Sequence, residues 1–353
     1  MVEITGFEVD HTTIARKETF QIATGSSTES HGVIIKLRGD GLEGLGACCP
    51  NSVTGGDPAE VEERARELAG DLVGKEFFSV RDILDHAMEA ENVCAPALAG
   101  VDQALLDLWG KHEGEPVHRL FASYRDRLTT DITLGMGSPD HVVKKAQGRA
   151  AEGFGSLKIK VGADPVTDAE LVRSVRDAVG PAVEIRCDVN QGYDFEGALE
   201  FVQGVQNSGI SILEQPVPAG DWDLIRAVAE VSPVPVFVDE GFHSLEDLKR
   251  IITQGMPLGI NIKLQKVGGF SRALAMGSAA VEAGIPVMLG CYGETRMGIA
   301  AALHLGLCLE QFPLVDLDSF LNLDGDPTTG GFDIDRDTLS PLKKDGFGCD
   351  FHQ

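Results

Sequence analysis

Three acidic residues stand at the carboxyl ends of successive apolar runs: Asp188 in EIRCDVN, Glu214 in ISILEQP and Asp239 in VPVFVDE, 26 and 25 residues apart. One strand and one helix fill a spacing of that size, so the three side chains are expected to converge at one end of neighbouring strands. Like charges gathered this way repel unless a cation lies among them, and hard oxygen ligands with open positions suit Mg²⁺. Any one of these acids could instead cap the next helix or pair with an arginine. That account weakens when it must serve three times in succession.

Lysines accompany the acids. In SLKIKVGAD, Leu157, Ile159 and Val161 alternate with Lys158 and Lys160, which therefore share one strand face, and Lys263 closes GINIK 24 residues after Asp239. A free lysine has a pKa of about 10.4, whereas a base working near neutral pH needs about 7–8. A neighbouring ammonium and a divalent cation both push in that direction, so Lys158 is expected to tune Lys160. The plainer reading makes both lysines counter-ions of the acids, and for Lys158 it is sufficient. Lys266, in KVGG, reads as surface decoration. Asp316 and Asp318, in LVDLDSF, share a face as the lysines do. They could hold a second metal or, with no extra ion, receive a substrate ammonium group.

A divalent cation flanked by two opposed lysines suits removal of a proton next to a carboxylate, with charge moving onto an enediolate. A second lysine on the far face can return the proton there, which inverts the carbon.

The elements that must position these groups begin near residue 129. Eight short apolar strands, TTDITLG, LKIKVG, EIRCDVN, ISILEQP, VPVFVDE, GINIKL, IPVMLG and PLVDLD, recur roughly every 25 residues, with amphipathic helices such as WDLIRAVAEV and SLEDLKRIIT between them. Thr167 with Glu170 reads as a capping box and Gly180-Pro181 as a helix stop. This alternation predicts an α/β fold, a (β/α)8-type barrel whose active site lies at the carboxyl ends of its strands. A doubly wound sheet is the rival, but it would carry a Gly-rich phosphate loop after an early strand. Residues 1–118 read as an α+β capping domain, with an antiparallel sheet (HGVIIKLRG, GLEGLGACCP) and helices opened by Asp57-Pro58 and by Ser79. In APALAGVDQALLDLWGK the apolar spacing predicts a helix with one buried face. Residues 119–318 form the barrel, and residues 319–353 are expected to return and pack on the cap. The loops 19–28 and 49–54 should close over the site.

Taken together, the K-x-K of LKIKVG, the D-x-N of CDVNQGY, EQP, the DE of VFVDEG and the lysine of INIKLQKVGG resemble the muconate-lactonizing branch of the enolase superfamily, nearly end to end. That superfamily pairs a Lys or His base with Mg²⁺. The resemblance implies Asp188, Glu214 and Asp239 as ligands of one Mg²⁺ per subunit and Lys160 and Lys263 as the acid/base pair. DLDSF is similar to the D-x-D of dipeptide epimerases, which implies that Asp316 and Asp318 hold a dipeptide's α-ammonium group. Glu294 in GCYGET also matches the family's pattern, and with Lys158 it is placed on the substrate-binding side. The implied activity is a Mg²⁺-dependent dipeptide epimerase inverting the α-carbon of the carboxy-terminal residue. Alanyl-glutamate epimerases of this family carry an Arg in the early cap loop; FQIATGSSTES has Gly and Ser there, and Arg16 or Lys17 would have to reach in from upstream.

Composition sets outer limits. With 55 acidic against 30 basic side chains and a net charge of −25, the 353-residue chain disfavours nucleic acid and anionic membrane as partners. The amino-terminal segment lacks the basic-then-apolar layout of a signal peptide, so a cytoplasmic enzyme is expected, and a homo-oligomer. Seven cysteines without zinc-type pairs fit reduced thiols, with Cys48, Cys49 and Cys291 packing near the mouth. Alternatives on the same framework are an o-succinylbenzoate synthase, a muconate cycloisomerase or an N-acylamino acid racemase, none of which offers an ammonium group to Asp316 and Asp318. A catalytically silent barrel is the alternative of another kind, and it would bind no Mg²⁺.

Overall fold

Short apolar runs separated by helices can bury both faces of a sheet only by pairing in parallel. In the computed structural model, which describes residues 1–51, 53–54, 56–90, 94–311 and 314–352, they do so. Ile132–Leu134, Ser156–Lys160, Glu184–Asp188, Ile210–Glu214, Val236–Val238, Leu258–Ile262, Val287–Gly290 and Leu314–Asp316 line up in chain order as one parallel sheet of eight strands. The last strand is tied to the region of the first: the Asp131 amide donates to the Val315 carbonyl at 3.1 Å and the Leu317 amide to Thr130 Oγ1 at 2.8 Å. The fold is the expected barrel with an α+β cap, and the strand order contains no reversal of the kind a doubly wound sheet requires.

Seven helices of ten residues or more join the eight strands. One of them, Pro139–Ala151, has a weak sequence signature because only Val142 and Ala146 are buried. The helix Pro165–Val179 starts earlier than its expected capping box. Asp164, not Thr167, is the N-cap and accepts from the Thr167 amide at 2.9 Å, while Pro165 supplies a first-turn φ already suited to a helix. The stop at Gly180 is as expected, at φ 78°.

The cap is an antiparallel meander, Gly6–Ile22, Gly25–Gly39 and Leu42–Cys48, backed by the helices Pro58–Gly70, Val80–Glu89 and Ala95–Glu113. Asp57 and Ser79 cap the first two of these helices. The third departs from expectation, since it is buried on every side from Pro96 to Gly110. Sheet backbone presses on one side, where side chains at Gly44 or Gly46 would strike the backbone of Ala104 or Gly100. Its polar residues tie down what surrounds it. Asp107 accepts from the amides of Leu45 (2.8 Å) and Phe347 (2.6 Å), Gln103 from Ala47 (3.1 Å), and Asp102 from the amide (2.9 Å) and hydroxyl (2.5 Å) of Ser271.

The carboxy-terminal segment is not confined to the cap. Leu323–Asp324 does pair with Ala15 and Arg16 of the first long cap strand, but the hairpin Phe332–Asp335 and Thr338–Pro341 pairs with Leu128–Thr129 ahead of the first barrel strand. There the Asp337 carbonyl accepts from Thr130 (2.8 Å) and its carboxylate from the Gly155 amide (3.1 Å), so the tail also covers the amino ends of the first two barrel strands. The expected mouth loop around residue 23 is a β-hairpin tip, held to the barrel by the Met136 amide donating to Gln21 at 2.9 Å. Within the second mouth segment, Ser52 lies outside the described residues. No described helix is long and apolar enough to cross a membrane.

Candidate active site

Parallel register sets the site. Lys160 lies opposite Asp188, and Asp188 opposite Glu214, so successive strand ends present their side chains at one level, with Asp239 one residue beyond its own strand. Carboxylate oxygens of Asp188, Glu214 and Asp239 lie within 4.8 Å of one another, all buried. Of the three, Asp239 lines a cavity of about 600 Å³. Its barrel side includes Lys160, Asn190, Asp239, Glu240, Lys263, Tyr292, Asp316 and Asp318, and its cap side Arg16, Phe20, Ser30 and Cys49. Asn190, Gln191 and Gln215, just past the third and fourth strands, have φ of 46°, 71° and 35°. Left-handed backbone at non-glycine residues is strained, and here it turns the strand ends so that Gln215 Oε1 accepts the amides of Asp239 (2.9 Å) and Gly241 (3.1 Å).

Each lysine has a definite set of partners. Lys160 Nζ lies 2.5 Å from Asp188 Oδ2, and Lys263 Nζ lies 2.7 Å from Asp239 Oδ2 and 4.5 Å from the centre of the Tyr292 ring. Lys158 is completely buried and does not line the cavity. Its Nζ touches Asp316 (2.8 Å), Asp188 (3.1 Å) and Glu214 (2.7 Å). A side chain enclosed this way braces the acids from below and makes no contact with the cavity, which corrects its expected place on the substrate-binding side. Lys266 is also corrected. It is buried beneath the site rather than exposed, and its Nζ lies 2.5 Å from Asp239 Oδ1 and also bonds the Asp239 carbonyl. Glu294 faces away from the main cavity, accepting from Gln265 Nε2 (3.0 Å) and the Tyr292 amide (3.1 Å), so it steadies the turns after the sixth and seventh strands.

Electrostatics follow from these contacts. Burial works against the Lys263 charge, yet Asp239 outweighs it and holds the ammonium well above the ordinary lysine range. Lys158 is raised likewise, against its burial, by Asp316, Glu214 and Asp188. At Lys263 the carboxylate partner outweighs the neighbouring ammonium of Lys158. Burial does lower Lys266. Among the acids, burial pushes Asp239 and Asp316 up but the lysines beside them win, and both lie below the usual range. Burial, and then the charge of Asp316, push Asp318 up to about 7; burial, and then Asp239, do the same to Glu240.

Four buried side-chain oxygens in and beside the trio lack a hydrogen-bond donor: Glu214 Oε2, Asn190 Oδ1, Glu240 Oε2 and Asn261 Oδ1. For Glu214 Oε2 the Lys158 contact is an ion pair without hydrogen-bond geometry. The two amides point their nitrogens at acids instead, Asn261 at Glu214 (2.7 Å) and Asn190 at Glu240 (3.1 Å). Three carboxylates with unpartnered hard oxygens around them are a donor set that fits Mg²⁺. Asn190, Glu240 and Asn261 were not singled out as site residues from sequence. The signal for them was adjacency: Glu240 follows Asp239, Asn190 lies two residues past Asp188, and Asn261 lies two before Lys263 on the same strand face.

Residues 141–353 match the enolase C-terminal domain-like family, and residues 4–122 match the mandelate racemase / muconate lactonizing enzyme N-terminal domain. An L-Ala-D/L-Glu epimerase of Clostridium acetobutylicum is 31% identical over 97% of both chains. Among solved structures, a dipeptide epimerase of Enterococcus faecalis complexed with Mg and the dipeptide L-Leu-L-Tyr superposes with a TM-score of 0.93 at 30% identity, covering 98% of this chain and 99% of the other. One from Methylococcus capsulatus, complexed with Mg and L-Arg-D-Lys, also has a TM-score of 0.93 at 30% identity, covering 99% and 100%.

Proposed function

The chain belongs to the mandelate racemase / muconate lactonizing enzyme family of the enolase superfamily, and from that premise we propose that it is a Mg²⁺-dependent dipeptide epimerase acting at the α-carbon of the carboxy-terminal residue. The observation that carries the reading is Asp318. It is buried in the cavity wall, it accepts the Thr133 amide at 2.6 Å, and among the described residues it has no cationic partner. Its neighbour Asp316 already has Lys158. A buried carboxylate without a counter-ion is costly, and a substrate α-ammonium group supplies one. Lyase and cycloisomerase substrates do not, and N-acylamino acids lack the α-ammonium group.

In this reading Asp188, Glu214 and Asp239 hold the cation, which when bound supplies positive charge against the substrate carboxylate as the enediolate builds up. Lys160 and Lys263 lie on opposite sides of the barrel mouth, on the second and just past the sixth strand. One takes the α-proton while the other delivers a proton to the opposite face, so that one C–H bond breaks, one forms and the centre inverts. For that step the accepting lysine must first be neutral. A cation held by Asp188 and Asp239 would compete with the two ammonium groups for those carboxylates and so would weaken their hold on the lysine protons. Asp316 and Asp318 hold the amino terminus and fix which residue meets the lysines.

The test is incubation of L,L-dipeptides with protein and Mg²⁺ in D₂O, followed by mass spectrometry. Gain of one deuterium, with the L,D product separated by chiral chromatography, supports the reading. No gain across a broad library, with Mg²⁺ shown to bind by calorimetry, refutes it.

A further inference from the structure

Arg16 stands apart from the other cations of the site. Lys158, Lys160, Arg186, Lys263 and Lys266, the buried cations among the described residues, each touch a carboxylate. Arg16 lines the same cavity and touches none. Its Nε is buried without a hydrogen-bond partner, and among the described residues its guanidinium forms no hydrogen bond or ion pair. In a chain with a net charge of −25, anions to pair with are plentiful, yet this group has been kept clear of them. A guanidinium carries five donors, and leaving the one on the buried Nε unmet away from water costs free energy.

The surroundings hold it in place without satisfying it. Its Cζ lies 5.5 Å from the centre of the Phe20 ring. The absence of a side chain at Gly293 leaves room for its Nη2, which a Cβ there would strike, and the backbone of Arg16 is fixed by pairing with Leu323. Two features place it relative to the reaction. Phe20 also lies 6.0 Å from Lys160 Nζ, so the guanidinium and that lysine stand against the same ring. Its Nη2 occupies the space beside Gly293, two residues past Cys291, whose sulfur lies within 4.8 Å of carboxylate oxygens of Asp316 and Asp318. The free guanidinium therefore belongs to the ammonium end of the site.

We propose that Arg16 selects dipeptides whose amino-terminal residue is acidic, its guanidinium taking the side-chain carboxylate of Glu or Asp while Asp316 and Asp318 take the adjacent α-ammonium group. This rests on the epimerase reading and gives it a substrate class. A zwitterionic first residue meets both signs of charge at once, and a planar fork is the group that binds a carboxylate through two parallel hydrogen bonds.

The experiment compares deuterium uptake in D₂O, with Mg²⁺, for L-Glu-L-Leu against its amide isostere L-Gln-L-Leu, and for L-Leu-L-Glu against L-Leu-L-Gln, with L-Ala-L-Leu as a neutral reference. The expected result is a kcat/KM ratio of about tenfold or more in favour of Glu over Gln at the first position, carried mainly by KM, and a ratio near one at the second. Arg16→Met should bring the first ratio to near one, and Arg16→Lys should retain part of it. Because the readout is a ratio, a general loss of activity in a variant does not alter it, and the wild-type ratio decides if Arg16→Met fails to fold. Exchange on L-Ala-L-Leu with no Glu preference at the first position, a preference at the second position instead, or an unchanged ratio in Arg16→Met would each overturn the assignment. Exchange on no dipeptide at all would remove the epimerase reading, and this inference with it.

Discussion

Asp239 meets two ammonium groups at once, Lys263 on one oxygen and Lys266 on the other, and is held below the ordinary carboxylate range by them. Asp239→Asn leaves two buried ammonium groups without their carboxylate. Destabilisation by about 3–5 kcal/mol is expected, read as a lower denaturation midpoint, together with loss of any rise in melting temperature on adding Mg²⁺. A variant that kept both wild-type stability and the Mg²⁺ response would remove Asp239 from the metal set. For the lysines the expectation is stereochemical. Lys160→Ala and Lys263→Ala should each lower epimerisation by roughly 10²–10⁴-fold, while each retains deuterium exchange on only one epimer, the one whose α-proton faces the remaining lysine. Chiral separation of the labelled products reads this directly, and exchange of both epimers by either variant contradicts two opposed bases.

At the scale of elements, the helix Ala95–Glu113 connects cap, barrel and tail through buried acids and an amide. Burial pushes Asp102 up to about 6, its bonds from Ser271 offsetting only part of the penalty. The folded state therefore holds this proton more tightly than the unfolded chain does, and the stability contributed by the protonated carboxyl is present at pH 4 and lost as pH rises to about 6. Asp102→Asn keeps the shape and an acceptor for the Ser271 amide but does not titrate. Its stability relative to wild type should rise by up to about 3 kcal/mol between pH 4 and 6 and stay level above that, as followed by urea unfolding across the range. A difference independent of pH would show that Asp102 ionises as readily folded as unfolded.

For the whole molecule, net charge and the metal set act on stability together. The excess of 25 negative charges repels itself across the surface, so raising NaCl from about 10 mM to about 500 mM should raise the melting temperature by screening. Mg²⁺ acts in addition and at far lower concentration, stabilising the fold by about 2.7 kcal/mol at one hundred times its dissociation constant. Calorimetric scans at fixed high salt, with and without Mg²⁺, separate the two effects. A response to Mg²⁺ that disappeared at high salt would mean the ion acts by screening alone.

Much of the site was legible because a parallel strand has a direction and a period of two. An acid or lysine at the end of an apolar run necessarily arrives at the barrel mouth, and one β/α unit between such residues makes them neighbours. Asp188, Glu214, Asp239, Lys160 and Lys263 are brought together for that reason, and the caps at Asp57 and Ser79 were legible because a cap is a local interaction. Depth and pairing were not legible, since they depend on contacts between residues far apart in the chain. Lys158 and Lys266 lie below the cavity because three strand-end acids close over one and Asp239 over the other. The helix at 95–113 is buried all round because the cap sheet and the tail reach it from opposite ends of the sequence. Glu294 turned toward Gln265, while Arg16 was left facing the cavity with no side-chain partner among the described residues. The residue types and their spacing by themselves determined which chemistry could gather at the mouth of this barrel. Only the tertiary structure decided which charges neutralise one another and which remain for a substrate, because burial and pairing are properties of the packed chain.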